Sequence, residues 1–189
     1  MENNLVVVSG LPRSGTSMMM GALQAGGLDL VTDRQREADL HNQKGYFEHE
    51  DVKTLEEDSA WLTRHRGEAV KIIYRQLYYL PSELPTKIIF MRRDVREVVA
   101  SQNAMLGEPA DVGDWSRLLM RELVKVDRWL SAQPHIQLLN VAHRRVFEDG
   151  ETVMREIASF LNRDLDTQAM LTTVRPELYR QRAVKKETK

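Results

Sequence analysis

No cysteine occurs among the 189 residues. Its absence excludes disulfides, thiolate nucleophiles and thiolate metal ligands together, and fits the cytoplasmic location expected for the chain. Long apolar runs are also missing. The opening Met1-Glu2-Asn3-Asn4 has no basic region, and the apolar stretch after it is too short for a signal peptide or a membrane span. Charge of one sign is lacking: 27 basic residues face 28 acidic ones, a net charge of −1, so nothing draws the chain as a whole to nucleic acid or to an acidic membrane. There is no internal repeat, low-complexity tract, linker or metal-ligand cluster. With 42% apolar residues the chain fills one core, and a single domain is expected over 1–182, followed by a charged, frayed tail over 183–189.

What is present is concentrated near the N-terminus. Leu5-Val6-Val7-Val8 runs directly into Ser9-Gly10-Leu11-Pro12-Arg13-Ser14-Gly15-Thr16-Ser17. A short β-branched run followed by two glycines five apart and a Thr-Ser pair predicts a strand, a phosphate-cradling loop and the start of a helix. Gly10 and Gly15 permit backbone angles that bring several N–H groups onto one anion. Thr16 and Ser17 add hydroxyl donors, and the fork of Arg13 suits two oxygens of a phosphate or sulfate. The nucleotide-hydrolysing form of this loop, GxxxxGK[ST], has a lysine before its last hydroxyl residue; here that position is Thr16.

Continuous apolar runs predict further buried strands over 69–73, 87–91 and 136–141, with a weaker one over 28–31. Helical spacing is read over 16–25, 50–64, 95–105, 114–131 and 150–161. The alternation predicts an α/β fold of three layers: a mostly parallel central sheet of about five strands with helices on both faces, P-loop and nucleotide-kinase-like. Ligand is then expected at the carboxyl ends of the strands. Met18-Met19-Met20 reads as helix core or as a pliable pocket lining. Lys71, inside an apolar strand, requires an anionic partner.

The strand over 87–91 ends in Arg92-Arg93-Asp94, and Ser101 follows Arg93 by eight residues. Together with the first loop, this second motif resembles the P-loop sulfotransferases that use 3′-phosphoadenosine 5′-phosphosulfate (PAPS). Asn42-Gln43-Lys44-Gly45-Tyr46-Phe47-Glu48, Val70-Lys71 before Leu80-Pro81, and the closing 175–182 segment look like the compact bacterial branch of those enzymes. The resemblance implies that Arg13, Ser14, Gly15, Thr16 and Ser17 hold the 5′ end of the donor, and that Arg93 and Ser101 hold its 3′-phosphate. It implies sulfuryl transfer from PAPS to a hydroxyl or amine of a small-molecule, lipid or carbohydrate acceptor, leaving 3′-phosphoadenosine 5′-phosphate (PAP), with no metal. Arg13 and Lys71 would stabilise the leaving phosphate.

Many cytosolic members place a catalytic histidine two residues after the lysine of the middle strand, but that position is Ile73 here. Glu48 is then the first candidate for the base, followed by His41 and His49, with Asp33 behind them. Arg175, Arg180 and Arg182 either close over the donor or form a charged surface. Acceptor contacts are expected from 33–46, 74–79 and the 107–113 loop. Two other readings remain open: a small P-loop nucleotide kinase or NTPase, which requires the missing lysine, and a non-catalytic nucleotide-binding module.

Overall fold

A computed structural model describes residues 4–33, 47–106 and 111–179. Its centre is an all-parallel sheet built from β1 (Leu5–Gly10), β2 (Leu30–Val31), β3 (Ala69–Lys71), β4 (Thr86–Arg92) and β5 (Ile136–Ala142), in the order β2-β3-β1-β4-β5. All six residues of β1 are buried, as a strand covered on both faces must be. Alternate side chains divide between two cores: Leu5 and Val7 enter one, Val6 and Val8 the other.

The first core is closed by α2 (Val95–Leu106) and α3 (Val112–Ser131), which supply Val95, Val98, Val99, Leu119, Val126 and Leu130. Against the opposite face pack α1 (Thr16–Ala25), α4 (His143–Glu148), α5 (Gly150–Leu161) and α6 (Thr167–Thr172), including Met19, Met20, Val146, Ile157 and Met170. The three-layer α/β architecture read from the sequence is therefore present. No helix of the described residues is long and apolar enough to cross a membrane.

Two expectations are corrected, and two short helices are added. The 50–64 helix is two separate 3-10 segments, Glu50–Thr54 and Ala60–His65. Thr54 O accepts from both Glu57 and Asp58 N–H, and Asp58 Oδ1 accepts the Ala60 N–H at 2.9 Å, so a side chain replaces the backbone acceptor a continuous helix would use. The 136–141 strand is not buried on both faces: β5 is an edge strand with Gln137, Asn140 and Ala142 exposed, since only β4 borders it. The short helices α4 and α6 have no counterpart in the sequence reading. An Asp166 side chain accepting the Ala169 N–H at 2.8 Å starts α6.

Strand order places the ligand edge. The chain leaves β1 toward β2 and β3 on one side, then crosses to β4 and β5 on the other, so the carboxyl end of β1 lies at the point where direction reverses. The register sets Val8 beside Lys71 and Gly10 beside Met91. The loop after β1 is thus flanked by the ends of β3 and β4.

Candidate active site

Between β1 and α1 the backbone turns through three positive-φ positions: Gly10 (151°), Arg13 (69°) and Gly15 (97°). A Cβ on Gly10 would meet the Ser14 hydroxyl and lie 2.8 Å from Met91 O; one on Gly15 would lie 2.6 Å from His143 Cδ2. Both glycines are required by close approach as well as by φ. Gly15 caps α1 without a side-chain hydrogen bond, and no acidic residue occupies the first turn. Neither its cap nor its first turn therefore offsets the positive end of the helix.

The loop fits an anion on a second count. Ser14 Oγ is buried and has no hydrogen-bond partner among the described residues, a costly state for a hydroxyl unless a ligand supplies one. A phosphosulfate group, rich in acceptor oxygens, matches that donor and the adjoining backbone.

Side chains nominated from the sequence meet this loop from both flanks. On the β4 side, Arg93 Nη1 donates to Arg13 O at 2.9 Å, and Arg13 Nε donates to Ser101 Oγ at 3.1 Å. The carbonyl that receives Arg93 belongs to the residue at φ 69°, so the arginine braces the strained turn. On the β3 side, Lys71 Nζ lies 2.9 Å from Glu48 Oε1 and 3.4 Å from Ser17 Oγ. Lys71 is 6% exposed, and Glu48 supplies the anionic partner its burial demands. Glu48 is itself held by its backbone: its carbonyl accepts from Thr32 Oγ1 at 3.0 Å and from Asp33 N at 3.2 Å.

The remaining candidates lie elsewhere. Asp33 Oδ2 accepts the Glu50 N–H at 2.6 Å and fixes the turn beside Glu48. His49 caps the 50–54 segment through Nδ1 and stacks on Trp61 with ring centroids 4.9 Å apart. Arg175 is exposed where the chain enters the 3-10 turn Pro176–Leu178. His41, Arg180, Arg182, the tail over 183–189 and the acceptor segments 34–46 and 107–110 lie outside the described residues. Among the described residues no group of three His, Asp or Glu side chains gathers to hold a metal ion.

Three residues missed by the sequence reading complete the site. Glu97 accepts from Arg93 Nε at 3.0 Å and from Tyr179 Oη at 2.9 Å. Burial and the bond to Glu97 push the Tyr179 hydroxyl above its usual pKa, against the opposing pull of Arg93. His143 follows β5, one residue beyond the Arg92–Ala142 register pair, so it stands on the same edge as Arg93. Its ring packs edge-on against Phe147 and Tyr179 at 5.0 and 4.9 Å, and its Nδ1 is buried without a partner among the described residues. Burial, reinforced by Arg93 and opposed by Glu97, lowers its pKa to about 4, so the imidazole is neutral. An i,i+4 Arg-Glu spacing was visible in sequence as a helix pair; the pairings across 82 residues were not.

Known proteins share this fold. Solved structures with the same fold include the sulfotransferase domain of the Synechococcus olefin synthase, with 16% identity and a TM-score of 0.56 over 94% of this chain and 79% of that one. The mouse sulfotransferase SULT7A1 complexed with PAP gives 11% identity and 0.59 over 92% and 66%. Sulfotransferase STF1 of Mycobacterium tuberculosis gives 12% and 0.58 over 92% and 72%. No curated protein sequence matches the chain. The sulfotransferase domain model, however, matches residues 3–187, taking in the loop after β1 and both flanking strand ends. The chain belongs to the sulfotransferase family of enzymes.

Proposed function

We propose that this chain transfers a sulfuryl group from PAPS to a hydroxyl or amine of a small-molecule, lipid or carbohydrate acceptor. The observation that carries the reading is the contact between the two anion motifs. Arg93 and Ser101 both reach Arg13, at 2.9 and 3.1 Å, although 80 and 88 residues separate them in sequence. A donor phosphorylated at both ends of one ribose requires two adjoining cationic sites. In this reading Arg13, Ser14, Gly15, Thr16 and Ser17 hold the 5′ end, and Arg93 and Ser101 hold the 3′-phosphate.

Bound there, the donor supplies the sulfuryl group and a bisphosphate leaving group. The protein contributes position and charge. Arg13 and the N–H groups at the start of α1 would stabilise the negative charge that grows on the leaving phosphate oxygen. Lys71, 3.4 Å from Ser17, adds a second cation at the same end. Glu48, held by Lys71 and by its own backbone carbonyl, takes the acceptor proton as the new bond forms, S–O with an alcohol or S–N with an amine. The acceptor ends as a sulfate ester or sulfamate, and Glu48 returns its proton to water.

Transfer of labelled sulfate from PAPS to a panel of alcohols and amines tests the reading. Arg13→Ala should lower turnover roughly a hundredfold or more, as loss of a transition-state donor does. Absence of transfer to every acceptor, with PAP still bound, would favour the non-catalytic module.

A further inference from the structure

We propose that Glu97 is a positioning residue for the 3′-phosphate subsite: one carboxylate oxygen orients the Arg93 guanidinium against the P-loop while the other anchors the C-terminal segment at Tyr179. The inference rests on the donor reading given for Arg93 and adds a residue and a segment to it.

Burial separates this pair from the i,i+4 ion pairs Arg144–Glu148, Arg145–Asp149 and Arg155–Glu151. Arg93 and Glu97 side chains are 8% and 7% exposed, whereas Arg144–Glu148 and Arg155–Glu151 are more than half exposed at every partner. Exposed pairs of that kind do little. A buried carboxylate must have its lone pairs engaged, and Glu97 divides its two oxygens between Arg93 Nε at 3.0 Å and Tyr179 Oη at 2.9 Å. Arg93 in turn donates from Nη1 to Arg13 O. Bonds from Nε and Nη1 fix both the plane and the rotation of a rigid, planar guanidinium.

An anion beside a phosphate subsite weakens phosphate binding by charge alone. Its contribution here is therefore orientation. Tyr179 strengthens the geometry from the far side, with its ring 5.4 Å from Arg93 Cζ and stacked on Phe147 at 5.0 Å. The end of the described chain is thereby bonded, through one carboxylate, to the arginine that braces the P-loop.

Calorimetric titration with PAP and with adenosine 5′-monophosphate, which lacks the 3′-phosphate, isolates the subsite. Wild-type protein should prefer PAP. Glu97→Ala should weaken PAP by roughly 10–100-fold, the worth of a hydrogen bond to a charged group, and adenosine 5′-monophosphate by less than about threefold. Glu97→Gln keeps an acceptor for Arg93 and a polar partner for Tyr179, so PAP affinity should return to within about threefold of wild type. Tyr179→Phe, a one-atom change, should weaken PAP by about 3–10-fold with the other nucleotide unchanged; it decides the matter if Glu97→Ala does not fold. Equal weakening of both nucleotides, or a Gln variant as weak as the Ala variant, would overturn the role. So would a preference for PAP that survives Glu97→Ala and Tyr179→Phe. A wild-type protein that does not discriminate would overturn the donor assignment itself, and this role with it.

Discussion

Acid should unfold this protein partly through His143. The ring is 5% exposed, packed on the P-loop at Gly15, and its pKa is lowered from 6.5 to about 4 by burial first and by the Arg93 charge second. Because the unfolded chain takes up a proton near pH 6.5 and the folded one only near 4, unfolding gains a bound proton between those values. The neutral ring therefore contributes stability that is fully present above pH 6.5 and is lost as pH falls toward 4. At pH 5 the loss is about 2 kcal/mol, and below pH 4 it approaches about 3 kcal/mol, taking 1.36 kcal/mol for each pH unit between the two states.

Urea unfolding at pH 7.5 and pH 5, in wild type and in His143→Gln, isolates this term from the carboxylates that titrate in the same range. The variant is expected to be less stable at pH 7.5, since it loses the ring contacts to Phe147 and Tyr179. The wild-type decline between the two pH values should nevertheless exceed the variant's by about 2 kcal/mol. Equal declines would refute the reasoning, as would an imidazole resonance of His143 that titrates near 6.5 in the folded protein.

Two further outcomes follow from the loop and the β3 side of the site. Gly15→Ala puts a Cβ 2.6 Å from His143 Cδ2 at a residue with φ 97°, so thermal unfolding should show a loss of about 1–3 kcal/mol; unchanged stability would mean that the loop relaxes around the methyl group. Glu48→Gln should lower kcat by roughly 100-fold or more while PAP affinity stays within about twofold. Parallel loss of kcat and PAP affinity would make the Lys71–Glu48 pair a support of the loop and would remove the proton-accepting role.

The centre of the sheet was legible because β1 and β4 are buried, largely apolar runs in a parallel sheet, where no alternation has to be decoded; β5, with Gln137 and Asn140 exposed, departs from that pattern. The P-loop was legible because Gly10 and Gly15 sit at positions where chemistry leaves no alternative residue. Arg93 and Ser101 were nominated through the family resemblance, and each meets Arg13 in the structure. The 50–64 segment misled because its apolar positions at Val52, Leu55, Trp61 and Leu62 do face the core, as helical spacing implied; only the Asp58 side chain, competing for a backbone donor, divides it. Glu97, His143 and Tyr179 escaped for a different reason. Their roles arise from contacts between the ends of β4 and β5 and the C-terminal segment, and the contacts that join those segments, Glu97 to Tyr179 and His143 to Tyr179, fall within no single window of sequence.

Thermal unfolding with PAP, compared with ATP plus Mg²⁺, tests most directly whether two adjoining cationic sites grip both ends of one bisphosphorylated adenosine. PAP at a hundred times its dissociation constant should add ~2.7 kcal/mol to stability, and ATP with Mg²⁺ at the same concentration should add far less. Stabilisation by ATP with Mg²⁺ and none by PAP would contradict the account.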